Sequence, residues 1–330
     1  MLTHYAALDD YLVVATGEGA DRRRSERLSG HDLQCLAAVS AVPERVFCGT
    51  FDAGLQRSTD GGDSWERVGV DVLHERVMSV TVSPHDPDVV WAGTEPSAIF
   101  VSRDGGDTWT ERPGLTDLPS AGEWYFPPRP DTHHVRWIDV APDDPDRLYV
   151  GIEAGAFVTS PDGGDTWRER LPGSRRDNHS LATHSDAPGR VYAAAGDGYA
   201  ESHDHAADWA HPQSGLDHRY CWSVVPTPGD PDVVVLTAAS DPGAAHSSPA
   251  ESYVYRREGD GDWERAMAGL PDPEGSLRGV LAAGDGPGEV HLLSNHGLYR
   301  TTDSARTWSR LPVPWRPADE RLRPRGLAVV

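Results

Sequence analysis

There is no lysine in this chain: all 30 basic residues are arginine, set against 52 acidic ones, for a formal charge of -22 over 330 residues. That absence removes several chemistries at once. A P-loop lysine, a Schiff-base lysine, the strand lysine of a kinase and a Ser-x-x-Lys nucleophile have no residue to carry them. The surplus of carboxylates argues against nonspecific nucleic-acid binding, because a phosphate backbone selects basic patches. A local cluster of arginines can still hold a small anion. Cysteine is scarce as well. Cys35, Cys48 and Cys221 make no disulfide framework and fit a reducing compartment. Cys221, in HRYCWS, reads as a buried thiol on an inner strand rather than a nucleophile. No apolar run approaches the ~20 residues that span a bilayer, and Met1 to Val14 lacks the basic start and cleavage site of a signal peptide. The expectation is a soluble cytoplasmic protein with no membrane partner. Acidity without lysine fits a salt-rich cytoplasm, where hydrated carboxylates maintain solubility; GC-rich coding is the other route to the same composition.

What the chain has in quantity is one turn, written six times: STDGGDSW (Ser58 to Trp65), SRDGGDTW (Ser102 to Trp109), SPDGGDTW (Ser160 to Trp167), SHDHAADW (Ser202 to Trp209), RREGDGDW (Arg256 to Trp263) and TTDSARTW (Thr301 to Trp308). The tryptophans are 44, 58, 42, 54 and 45 residues apart, close to the roughly 40–50 residues of one four-stranded propeller blade. In each octet the aspartate can accept hydrogen bonds from backbone N–H groups further on, Gly-Gly supplies the positive φ of a tight hairpin, and the indole buries against a neighbouring strand. The last three copies depart from the pattern. His205-Ala206 follows Asp204, Glu258 replaces the aspartate, and Ser304-Ala305 replaces Gly-Gly, so looser turns are expected there.

These octets resemble the Asp-box, or BNR, repeat, Ser-x-Asp-x-Gly-x-Thr-Trp, of sialidase-like and Vps10-like β-propellers and related glycosyl hydrolases. The resemblance marks Asp60, Trp65, Asp104, Trp109, Asp162, Trp167, Asp204, Trp209, Asp303 and Trp308 as structural. It implies that each box joins the third and fourth strands of a blade, on the face away from the ligand. Between boxes the pattern agrees: Val77 to Arg112 reads as inner strand, Pro/Asp turn, second strand, short loop, third strand, box and fourth strand. The segment from Tyr11 resembles the later strands of a blade, and RGLAVV at the C-terminus an inner strand. Together they predict an all-β fold in one domain, residues 1–330: a single seven-bladed β-propeller closed by its N- and C-terminal strands. Blade 1 comes from about 11–30 plus 325–330, and blades 2–7 lie within 31–315. Closure removes two exposed sheet edges.

Aligning the inner-strand starts puts Gln34, Met78, Arg136, His179, Trp222, Arg278 and Arg325 in a ring about the axis. The second-to-third loops add Asp52, Glu95, Glu153 and Asp197 near the same mouth, with Glu18 and Asn295 in the other blades. The two long spacings come from Gly114 to Arg136 and from Thr237 to Ser252, both on this face, and extra loop length is commonly retained for recognition. Trp124-Tyr125-Phe126 with Pro127-Pro128 makes a stiff aromatic segment, either stacking on a sugar or packing as a lid over a blade seam. His133, His134, His179, His184, His218 and His246 fall near blades four to six, yet no metal-ligand spacing is present, so neither metal nor cofactor is expected. The expected ligand contacts are Trp124, Tyr125, His133, His134, Arg136, Glu153, His179, Tyr220, Arg278 and Arg325. Three functions fit: binding a small polar or anionic ligand such as a glycan; glycoside hydrolysis by paired carboxylates drawn from Glu95, Glu153 and Asp197; and assembly with another protein. An opposed carboxylate pair favours the enzyme, and carboxylates each paired to an arginine favour the binder. Sialidase-like relatives are six-bladed with an Arg-Ile-Pro motif and xyloglucanase-like ones carry two propellers, features this sequence does not share.

Overall fold

The computed structural model describes residues 2–17 and 19–330, so Glu18 lies outside the described residues. The chain forms seven antiparallel sheets, each meandering outward from an inner strand. The inner strands are Leu33–Ala38, Arg76–Val82, Val135–Val140, Asn178–Ala182, Tyr220–Thr227, Val280–Ala283 and Pro324–Val329. Middle strands such as Val46–Thr50, Val191–Ala195 and Ala156–Ser160 are buried along their whole length, because each sheet is covered on both faces by its neighbours. Core therefore lies between blades: Tyr149 and Phe157 of one sheet pack against Leu181, Val191 and Ala193 of the next. Outermost strands such as Glu66–Val68 are short and mostly exposed. In the fourth and fifth blades the outer strand is reduced to single bridges, Thr159 to Arg168 and Glu201 to Ala210.

The ring closes through the chain ends. Pro324–Val329 is the inner strand of the first blade and pairs antiparallel with His4–Leu8, which pairs in turn with Leu12–Thr16. His4–Leu8 lies upstream of the sequence boundary drawn near residue 11; HYAAL is fully buried but follows no tryptophan turn that would have set its phase. The closure is pinned by Asp319, whose buried carboxylate accepts from Tyr11 Oη, from Arg24 Nη1 and Nη2 (2.5 and 3.0 Å) and from Arg316 Nη2 (3.1 Å).

The repeated turns share one hydrogen-bond scheme. Ser160 Oγ donates to Asp162 Oδ1 (3.0 Å) and accepts the Gly164 N–H (2.8 Å), while Asp162 accepts the N–H and hydroxyl of Thr166 at 2.8 and 2.6 Å. The sixth copy keeps this scheme without glycine, and the fourth keeps all of it but the hydroxyl bond, Asp208 standing in place of Ser or Thr. His205 and Ala206 stand at φ 58° and 69°, Ser304 and Ala305 at 57° and 63°, and Asp204 and Asp303 still accept the N–H four residues on at 2.9 Å. These turns are not looser; they hold non-glycine residues in the left-handed region, at a cost of order 1 kcal/mol each. The fifth abandons the scheme, with Glu258 turned instead to Arg256 and Arg306.

Candidate functional site

Six inner strands carry a register break at their second or third residue, and the unpaired residues are Gln34, Met78, Arg136, His179, Trp222 and Arg325. A bulge inserts one residue that leaves the regular in–out alternation and can re-aim its side chain. Here the bulges gather the seven-membered ring read from the sequence, with Arg278 taking the remaining place just before Val280–Ala283. Opposite the bulges, Gly49 and Gly93 let the next blade in: a Cβ on Gly49 would sit 2.7 Å from the Val77 carbonyl, and one on Gly93 2.4 Å from Val135 Cγ1.

The ring opens into an axial cavity of ≈ 500 Å³, lined by all of these residues except His179, which lies beneath Trp222 and Tyr220 with ring centroids 4.5 and 4.8 Å away. One side is cationic. The Arg278 guanidinium lies 3.5 Å from the Trp222 centroid, and Arg136 5.0 Å from the same ring. Arg278 is 1% exposed; its Nε donates to His246 Nδ1 at 2.9 Å, and its Nη1 has no hydrogen-bond partner among the described residues. An arginine only donates, so His246 accepts at Nδ1 and turns its Nε2–H to Tyr220 Oη at 2.9 Å. Burial, then the nearby Arg278 charge, pushes the His246 ring down to about 2, which keeps it neutral. Burial and the Arg325 and Arg136 charges push Arg278 well below its ordinary value, and Arg325 is lowered to about 10 by burial and by Arg323. Among the described residues Arg325 finds only a 3.5 Å polar contact with Asp32.

The other side is acidic but compensated. Glu95 lies buried behind the wall without lining the cavity, gripped by Arg129 (2.8 and 2.5 Å) and Arg76 (2.9 Å), with His134 Nδ1 at 3.4 Å. Burial alone would raise this carboxyl; the His134 and Arg129 hydrogen bonds outweigh it and hold it at about 2. Glu153 accepts from His134 Nε2 at 2.9 Å and lies 3.6 Å from Arg136 Nε. Burial is again outweighed by His134 first, leaving Glu153 well below the usual carboxylate range. His134 is correspondingly raised, since Glu153 and Glu95 outweigh the burial that would lower it. Asp197 is half-exposed, pairs with Arg175 at 3.5 Å and does not line the cavity. Asp177 was not singled out in the sequence, yet it lines the cavity, and burial raises its carboxyl, with the Glu153 charge adding to the effect.

The aromatic loop divides. Trp124 is 5% exposed and buried against Leu115 and Ile152, its Nε1 donating to Ser120 Oγ at 3.2 Å. His133 packs edge-on to it. Tyr125 is 45% exposed, its ring facing Arg176. Phe126, Pro127 and Pro128 do reach the cavity wall. The second insertion forms the short helix Pro242–His246, capped by Asp241, and delivers Pro242 and His246 to the wall. His184 bonds the Thr227 carbonyl on the opposite face, and His218 stacks on Tyr253; neither joins the site. Cys221 is free and buried, and burial pushes its thiol up. The opposite mouth holds Asp139, which burial pushes up to about 7.

No protein-family model matches the chain, and no curated protein matches it. Solved structures do. A GH74 enzyme described as ancestral superposes with TM-score 0.65 at 16% identity, over 84% of this chain and 38% of its own. The Niastella koreensis GH74 enzyme gives 0.62 at 17%, over 84% and 46%. YCF48 bound to D1 peptide gives 0.60 at 17%, over 91% of this chain and 92% of its own. The shared fold is the seven-bladed β-propeller. This chain spans less than half the length of either GH74 chain, and nearly the whole of YCF48. Among the described residues no helix is long and apolar enough to cross a membrane.

Proposed function

We propose that the protein binds a small carboxylate-bearing ligand, an acidic sugar being the class that best suits the wall, at the cationic side of the axial cavity. The observation that carries this reading is Arg278: a buried guanidinium that, among the described residues, has an unpartnered Nη1 and no carboxylate bonded to it, crowded by two further arginines. Like charges gathered in a poorly solvated cavity are mutually destabilising, and an anion entering between them removes that cost. The flanking Tyr220 and Phe126 add aromatic surface to the cavity wall for a sugar ring.

Glycoside hydrolysis is the weaker reading. It needs one protonated carboxyl and one ionised carboxylate placed across a glycosidic bond, roughly 5 Å or more apart. Glu95 and Glu153 are both held ionised by basic neighbours. Asp177, the carboxyl that burial raises, sits beside Glu153, their nearest oxygens within 4.8 Å. A thermal-shift screen of uronic acids, their neutral aldoses and short peptides with free or amidated C-termini tests the proposal, since a ligand of the folded state raises the midpoint by mass action. The reading holds if uronic acids raise the midpoint of the wild type and lose that effect in Arg136→Ala. A response to free peptide C-termini alone moves the assignment to a protein partner.

A further inference from the structure

We propose that Glu153, Asp177 and His179 form a binding site for one divalent first-row transition ion, zinc or manganese, in the wall of the axial cavity. This goes beyond the carboxylate reading and does not rest on it. The three residues come from two segments: Glu153 from the loop after Leu148–Ile152, and Asp177 and His179 from the start of the next inner strand, Asn178–Ala182, Asp177 just before it and His179 at its bulge. One donor atom from each lies within 4.8 Å of the others. His179 Nε2 stands 3.7 Å from Asp177 Oδ2 and 4.0 Å from Glu153 Oε1. Bonds of about 2.1 Å to one ion would set such atoms about 3.0–3.5 Å apart, so the two His179 distances close by about 1 Å or less, and the two carboxylates, within 4.8 Å of each other, by up to about 1.8 Å.

The histidine is the second and independent sign. It is 1% exposed, and its Nδ1 faces the Cys221 carbonyl at 2.6 Å. A carbonyl only accepts, so Nδ1 carries a hydrogen and Nε2 is the ring atom left to act as a ligand. Nε2 has no hydrogen-bond partner among the described residues and has one carboxylate oxygen of Asp177 and one of Glu153 within 4.0 Å. Three electron-rich atoms facing one another repel unless a cation lies among them. A proton on Nε2 would face acceptors no nearer than 3.7 Å, beyond hydrogen-bond length.

Each donor is also braced by its other atom, as metal ligands commonly are. His134 Nε2 holds Glu153 Oε2 at 2.9 Å, the Ala154 N–H holds Asp177 Oδ1 at 2.8 Å, and the Cys221 carbonyl fixes the His179 tautomer. Unlike Glu95, Glu153 and Asp197, Asp177 has no arginine partner among the described residues. Room is kept for its carboxylate by Gly196, where an added Cβ would lie 2.0 Å from Asp177 Oδ2. Glu153 and Asp177 line the cavity, so the remaining coordination positions open toward it. An imidazole with two carboxylates suits zinc or manganese better than the all-oxygen shells of calcium or magnesium.

The test is calorimetric titration of Zn²⁺, and separately Mn²⁺, into full-length protein dialysed first against a chelator. The expected result is one saturable equivalent in the wild type, weakened at least about tenfold in Asp177→Asn and in His179→Gln, and unchanged in His203→Gln, an exposed histidine on the opposite face. Gly196→Ala weakens binding by displacing Asp177 and leaves all three donors in the sequence. Should His179→Gln fail to fold, the half-buried Asp177 carries the comparison. Absence of a saturable equivalent in the wild type overturns the proposal, as does equal binding by wild type and Asp177→Asn. The readout is the metal alone, so its outcome is independent of whether uronic acids bind.

Discussion

Arg278 and Trp222 are stacked with the guanidinium carbon 3.5 Å from the ring centroid, and Arg136 approaches the same indole at 5.0 Å. A cation–π contact contributes about 0.5–2 kcal/mol, which stabilises one buried guanidinium in part and does nothing about the repulsion between two. The pair therefore holds the cavity ready for a negative charge.

The arginine cluster is expected to trade stability for binding. Arg325, lowered to about 10 by burial and its arginine neighbours, carries a charge that opposes folding at neutral pH; that cost is full below about 10 and is relieved above it. Arg325→Gln should raise the melting temperature of the ligand-free protein by a few degrees, of order 1 kcal/mol, and reduce the further rise produced by uronic acids. Differential scanning calorimetry with and without ligand checks both signs.

Glu95 makes acid sensitivity local. Its folded carboxyl is held at about 2, below the ordinary 4.5, so it contributes stability above about 4.5 that is lost as pH falls toward 2. Glu95→Gln should destabilise the protein at pH 7, where it leaves Arg129 and His134 without their carboxylate, and flatten the stability curve between about pH 5 and pH 2. Chemical denaturation across that range reads out the slope.

Asp139 works in the other direction. Burial raises it from 3.8 to about 7, so the native state binds a proton that the unfolded chain has already released. Its contribution declines as pH rises from about 4 to 7 and stays unfavourable above. Asp139→Asn should leave stability nearly unchanged at pH 4 and raise it at pH 8, measured by the same denaturation series.

Asp319 closes the ring. Its buried carboxylate receives Tyr11, Arg24 and Arg316 from both ends of the chain, and removing one partner of a buried pair strands the others. Asp319→Ala should cost ~3 kcal/mol or more. Hydrogen exchange should show faster opening of His4–Leu8 and Pro324–Val329 than of strands in the third blade.

Much of this was legible in the sequence because a propeller repeats its phase. The tryptophan turns set blade length, and alignment of the strand starts landed on the bulge residues, which is why Arg136, Trp222, Arg278 and Arg325 emerged together. The same alignment held a second signal. Two positions before Gln34, Arg136, His179, Trp222 and Arg325 stand Asp32, His134, Asp177, Tyr220 and Arg323, all of them on the cavity wall. Reading that offset would have found Asp177. Trp124 misled for a physical reason: an aromatic in a proline-rich insertion has the same signature whether it faces a ligand or, as here, buries in a blade seam. His4–Leu8 escaped because no turn precedes it, and the pairing of Arg129 with Glu95 because an insertion has no repeat to align against.

The most direct test of the anion-binding cavity is isothermal titration of glucuronate and of glucose into the wild type, Arg136→Gln and Arg278→Gln at low and high salt. The arrangement of Arg136, Arg278 and Arg325 predicts binding of glucuronate alone, weakened by salt and at least tenfold by either substitution. Equal binding of glucose and glucuronate, or glucuronate binding untouched by both substitutions, would contradict it.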